Sequence, residues 1–204
     1  IEEAEAFARL KDVLARKAAE GVVEVRILYD DVGCIGFLDK SFIDRMNAIG
    51  VQCRVFNYVV PFLNIFMNNR DHRKIMVIDG KVGFTGGYNL ADEYFNITHP
   101  YGYWKDTGVK LTGRAVQNFT MMFLEMWNVM GQADTDYEKY LKASQEGVED
   151  GNVQKASGYV QPYADSPLDG EPVGENVYLN LIKTAKKRLY VATPYLIISD
   201  EMTR

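Results

Sequence analysis

The strongest constraint on this chain is the way residues 5–56 switch between two periodicities. Phe7, Leu10, Leu14 and Ala18 recur at helical spacing, and Gly21 closes that run. Val22 to Tyr29 then alternates and is rich in β-branched residues, which predicts a strand, and the chain turns through Asp30, Asp31 and Gly33. A second helical run opens near Asp39 or Ser41, carries Phe42, Met46 and Ile49, and ends at Gly50, and a second strand follows from Val51 to Phe56. Helix, strand, helix, strand with only short glycine punctuation is the pattern of an α/β fold. Such strands lie parallel because each return passes through a helix.

Further along, Ile75–Ile78 and Val82–Thr85 flank Asp79-Gly80, a two-residue hairpin signal, and Trp104–Leu111 reads as another strand. Ala115, Phe119, Met122, Phe123 and Met126 mark an amphipathic helix ending by Gly131, and a methionine and aromatic stripe of this kind is core. From Gln132 the chain turns polar and acidic, with a helical stretch at Tyr137–Ala143. A strand is expected at Tyr159–Gln161, a loop over 162–174, a helix over 177–187 and a strand over 189–193 that closes at Pro194. The expected organisation is a first lobe over 1–131, a connecting segment over 132–174 and the start of a second lobe over 175–204. The helix–strand pair 13–29 also resembles 179–195, a weak internal repeat.

Composition narrows the function classes. The 204 residues hold 23 Lys+Arg against 28 Asp+Glu, a net charge of −5, with 47% apolar and 25% charged residues. That is globular composition, and the acidic balance argues against a protein that lives on nucleic-acid phosphates. Cys34 and Cys53 are too few for a disulfide framework, and with two dispersed histidines no zinc spacing can be written; no cofactor is expected. The longest uncharged run, 55–69, contains Asn57, Pro61 and Asn64 and is too short and polar to span a bilayer. The chain opens on Ile1-Glu2-Glu3 already in helical periodicity and stops at Arg204, which reads as a piece of a longer protein.

The candidate chemistry lies in one stretch: His72-Arg73-Lys74, Asp79, and Gly86-Gly87-Tyr88-Asn89. In extended backbone His72 and Lys74 project from the same face. An imidazole beside an ammonium makes a poor structural pair but a good anion site, with the charge for a phosphoryl oxygen and the neutral ring free to attack. Gly86 and Gly87 let backbone approach a ligand closely, and Asn89 follows with a side-chain amide. Asp79, at the start of the hairpin turn, is placed to bond turn amides or orient other groups. Arg73 and Lys81 read as solvated or phosphate-steering charges. The glycines lack the Gly-Lys-Ser/Thr ending of a phosphate-cradling loop, so nucleotide binding is a poor reading.

The pattern His72-x-Lys74-x4-Asp79-x6-Gly86-Gly87-x-Asn89 resembles the HKD motif of the phospholipase D superfamily, in the Gly-Gly form of bacterial cardiolipin synthases. The resemblance extends to 20–26, 68–70, Trp104-Lys105-Asp106-Thr107, 113–116 and 123–127, which look like the first catalytic half. Residues 161–167 and 192–195 look like the opening of the second. Gly108 departs from the pattern, since many relatives carry His after the Asp-Thr.

The resemblance implies an α/β, largely parallel mixed sheet with helices on both faces, and a metal-free site shared by two motifs. By that pattern His72 attacks a phosphatidylglycerol phosphorus, and the histidine of the other motif protonates the leaving glycerol. A second phosphatidylglycerol then displaces His72 to give cardiolipin. Lys74 and Asn89, with Gly87 beside them, would hold the phosphate, and Asp79 would support the site. No second His-x-Lys occurs in these residues, since His99 is followed by Pro100 and Tyr101. The chain alone is therefore expected to be inactive as a monomer, its full-length form to sit at a membrane with the catalytic part cytoplasmic, and self-association to be open to it. The alternatives are a phospholipid hydrolase, a phosphatidylserine synthase, a homodimeric nuclease, or a non-catalytic lipid-headgroup module. A final expectation is that 189–193 pairs with the sheet containing 23–28, within or between chains, to cover an open edge.

Overall fold

The structure, a computed structural model, describes residues 1–21, 24–58, 69–145, 158–166, 168–193 and 195–204. Val22 and Val23, the acidic stretch 146–157 and the strand-closing Pro194 lie outside them. The chain divides into one compact unit over Ile1–Pro162 and a second over Tyr163–Arg204.

In the first unit, α1 (Glu5–Ala19) leads to β1 (Val25–Asp30), then α2 (Phe42–Ala48) and β2 (Val51–Phe56). β1 and β2 pair in parallel from Val25↔Val51 to Asp30↔Phe56. The α1–α2 side of β2 is a closed core: Phe7, Phe42, Met46 and Val51 are buried with Cys53, and Tyr29 meets Phe42 edge-on at 5.5 Å. Gln52 and Arg54 alternate to the opposite face, where Arg54 lies over the Trp127 ring at 4.0 Å and donates to the carbonyls of Trp127 and Gln132. β2 is thus covered on both faces. Ala4 gives α1 no side-chain cap. The Asp92 carboxylate supplies one from far along the chain, accepting from the Glu5 and Ala6 amides at 3.2 and 2.7 Å.

β3 (Ile75–Ile78), β4 (Val82–Gly86) and β5 (Gly108–Thr112) form a separate sheet, antiparallel throughout. The α/β class holds, but the parallel share is smaller than expected: among the described strands it is confined to β1–β2. The turn at Asp79-Gly80 explains β3–β4, because a two-residue turn can only join antiparallel strands. That turn has positive φ at both Asp79 (53°) and Gly80 (65°), as a right-twisted hairpin demands. α3 (Val116–Val129) packs on β3 and β4 with Val116, Phe119, Leu124, Met126 and Trp127 buried. A Cβ on Gly83 would lie 2.5 Å from the Phe119 ring, so this glycine sets how closely helix and hairpin approach. α4 (Tyr137–Gln145), within the polar segment, packs against α3. Asp134 just before it accepts from Arg26, Lys139 and Tyr140, which hold its carboxyl well below the usual range.

The second unit holds α5 (Val173–Thr184) and α6 (Asp200–Thr203). Here two expectations fail. Neither 159–161, at the end of the first unit, nor 189–193 forms a strand, and in the latter Tyr190 is 83% exposed and Val191 56%. A strand, unlike a helix, has no internal hydrogen bonds, and an apolar sequence without a neighbouring ladder does not become one.

Candidate active site

The β3–β4 hairpin sorts the motif residues by position. β3 enters at Ile75 opposite Thr85, so His72 and Lys74, just before β3, share one end with Gly86, the last residue of β4, and with Gly87 and Asn89 just past it. Asp79 stands at the other end, four paired rungs away, roughly 13 Å along the strands. It is exposed, and its carboxylate bonds to no turn amide or other group among the described residues. The structure therefore gathers His72, Lys74, Gly87 and Asn89 at one end and places Asp79 apart from them.

His72 sits in backbone pinned from the parallel sheet. Asp30, at the carboxyl end of β1, accepts from the Asp71 amide at 3.0 Å, from Arg70 at 3.4 Å and from the Gly33 amide at 3.2 Å. Arg73, expected as a solvated or steering charge, instead closes a bidentate pair with Asp71, both contacts at 2.9 Å. The imidazole itself makes no hydrogen bond among the described residues. Although the residue is exposed overall, the atoms around its ring strip water from it. That desolvation, and then the Lys74 ammonium, lower its pKa, against a weaker pull from Asp30 and Asp71. The ring is thereby kept neutral near pH 7.

Lys74 donates to the His72 carbonyl at 2.8 Å, which fixes its ammonium beside the histidine. Burial lowers its pKa as well, opposed by Asp71 and Asp106. Asp106 is one of several residues that spacing did not single out for a role. A Cβ on Gly87 would fall 2.3 Å from Asp106 Oδ1, so glycine at 87 is what admits this carboxylate. Asp106 in turn accepts from the Trp104 indole at 3.0 Å and the Thr107 amide at 2.7 Å. Asn89 donates through Nδ2 to the Tyr94 hydroxyl at 2.6 Å, and the Tyr94 ring lies 4.6 Å from that of Trp104. Asp30 carried a readable signal as an acid at the carboxyl end of a parallel strand, where such sheets place their sites. Tyr94 carried none.

Residues 6–127 match the family described as cardiolipin synthase, phospholipase D-like domain. The chain belongs to that family. It is 38% identical over 195 residues to a cardiolipin synthase of Alkalihalophilus pseudofirmus and 40% identical over 195 residues to cardiolipin synthase 2 of Bacillus cereus, with 95% of this chain covered in each case. It is 44% identical over 196 residues, 96% of the chain, to an uncharacterized protein of Streptococcus mutans. The chain spans only 37%, 36% and 41% of those three proteins' lengths. Among the described residues no helix is long and apolar enough to cross a membrane.

In a phospholipase D-like domain the arrangement can do two things. A neutral imidazole with unengaged nitrogens can attack phosphorus, and an ammonium and a carboxamide at the same hairpin end can take up charge on phosphoryl oxygens.

Proposed function

We propose that this chain supplies the nucleophile half of a phosphatidyltransferase that joins two phosphatidylglycerols into cardiolipin and glycerol. The observation that carries the reading is the imidazole of His72, without a hydrogen bond among the described residues, held beside Lys74 at the glycine-rich end of the hairpin. One imidazole nitrogen attacks the phosphorus, forming an N–P bond as the P–O bond to glycerol breaks. Lys74 and the Asn89 amide bear the charge that grows on the phosphoryl oxygens, and Asp79 takes no part in the reacting groups. The glycerol alkoxide is a poor leaving group and takes its proton from an acid other than His72, which is occupied as the nucleophile. The hydroxyl of a second phosphatidylglycerol then attacks the phosphorus, giving its proton to the group that protonated the glycerol, as the P–N bond breaks and His72 is restored. The substrate lies at a membrane surface, where the longer protein would meet it.

A diester with a p-nitrophenolate leaving group removes the need for that acid, so the first half-reaction is testable in the 204-residue chain. A ³²P-labelled p-nitrophenyl alkyl phosphate should release a burst of p-nitrophenolate and leave acid-labile label on residue 72. His72→Ala should abolish both. Label retained in that variant, or found on another residue, would refute the nucleophile assignment.

A further inference from the structure

The carboxamide of Asn89 has its N–H end engaged. Its Nδ2 is spent on the Tyr94 hydroxyl at 2.6 Å, while Oδ1, which makes no hydrogen bond among the described residues, is the end left to a ligand. A carbonyl oxygen repels a phosphoryl oxygen. A half-turn of the amide exchanges the two ends and frees both N–H groups. Whether that turn is cheap depends on what Oδ1 meets in the place of Nδ2.

It meets a group that serves either orientation. A tyrosine hydroxyl accepts from N–H and donates to C=O by rotating one hydrogen, and 2.6 Å lies within the O–H···O range. The oxygen of that hydroxyl is held in place by its surroundings. The Tyr94 ring packs at 4.6 Å on Trp104, whose backbone is clamped twice by Asn96, at 2.9 Å from Nδ2 and 2.7 Å to Oδ1. The Trp104 indole is bonded to Asp106. Asp92, in the same turn of helix as Tyr94, is anchored on the α1 amides.

We propose that Tyr94 is a positioning residue that lets the Asn89 carboxamide turn over when a phosphoryl group binds, donating its own hydrogen to Oδ1 while the NH2 turns to the anion. The proposal rests on the phosphate site argued above. Tyr94 is thereby distinguished from a packing residue: its hydroxyl sets the orientation of the amide, and its ring does the packing.

The test is an NMR titration of the 204-residue chain with inorganic phosphate, reading the Asn89 side-chain resonances and the Trp104 indole. In the unsubstituted chain the Asn89 carboxamide carbon should shift on titration, because its oxygen becomes an acceptor. Tyr94→Phe keeps the ring and should weaken phosphate about five-fold, the loss of one hydrogen bond, with the indole resonance unmoved. Phosphate affinity in Tyr94→Phe within about two-fold of the parent overturns the proposal. So does a carboxamide carbon that ignores phosphate in the parent, a reading that stands even if the variant fails to fold. Lys74→Met separates the two ideas. If phosphate binds that variant as well as the parent, the ion is not at this site, and the phosphate-site reading falls together with the proposal. If Lys74→Met abolishes binding while Tyr94→Phe retains it, only the role of Tyr94 falls.

Discussion

The two ends of one hairpin are built on opposite terms. At the turn end, Asp79 and Gly80 are closed by their own neighbours: both take positive φ, the Lys81 amide returns to the Ile78 carbonyl at 3.0 Å, and the Asp79 side chain stands in solvent. At the site end the partners also come from outside the hairpin. Gly87 is shaped to Asp106, Asn89 to Tyr94, and the backbone before His72 to Asp30, forty residues upstream. In the linear motif these residues carry equal weight. In the fold one end is scaffold and the other is chemistry, so spacing alone identifies the motif without dividing its labour.

The largest difference between the ends should appear on adding a methyl group to each. In Gly87→Ala the new Cβ meets a carboxylate that two hydrogen bonds hold in place. Urea unfolding should report a loss of about 1–3 kcal/mol, and phosphate affinity should fall more than about ten-fold, with the anion no longer matched to Lys74 and Asn89. Gly80→Ala forces an L-residue to φ near 65° and should cost about 1 kcal/mol while leaving phosphate affinity unchanged. If Gly80→Ala weakened phosphate as much as Gly87→Ala, the division between the ends would be broken.

Next in size is the cap on α1. Asp92→Ala strips the helix of the carboxylate on its Glu5 and Ala6 amides and should cost about 1 kcal/mol. Because the same short turn carries Tyr94, Asp92→Ala should also broaden the Asn89 side-chain resonances. Asp79→Asn, at the other end, should stay within about 0.5 kcal/mol, since asparagine also tolerates positive φ, and phosphate binding should not change. A marked loss of phosphate affinity in Asp79→Asn would give the turn a direct part in the site.

How much was legible in the sequence follows the same division. Local order was readable: the hairpin from Asp79-Gly80, the strand Val51–Phe56, and the helices that carry Phe42 and Phe119 all formed where periodicity put them. His72 and Lys74 were readable from their spacing, because residue type and alternation place them together. What was not readable depends on which partner each side chain takes in the fold. Residues 189–193 have the composition of a strand but no ladder to join. The pairing of Arg73 with Asp71 hides a charge that seemed free, and Asp106 and Tyr94 acquire roles only once the 92–107 loop returns to the hairpin.

The smallest effect concerns protons. The unfolded chain titrates His72 near 6.5, and in the fold desolvation and then Lys74 hold it lower. Between those two values the unfolded chain binds more protons than the folded one, so stability rises with pH across that window and is lost as pH falls through it. The effect is modest, because the residue is more than a third exposed and water screens the field of Lys74. Its sign is nevertheless testable by comparison with His72→Gln, which removes the titrating ring and keeps a polar side chain of similar reach. Urea midpoints measured from about pH 7.5 down to about pH 5 should fall more steeply for the parent than for His72→Gln, and the two curves should run parallel above pH 7. The burst with the activated diester should lose its rate on acidification at a lower pH than a free imidazole would, because the fold disfavours the protonated ring. A parent that gains stability relative to His72→Gln on acidification would mean that a carboxylate, Asp30 or Asp71, outweighs Lys74 and desolvation at the ring. The fold would then favour the protonated ring over the neutral one, against the nucleophile role argued for His72.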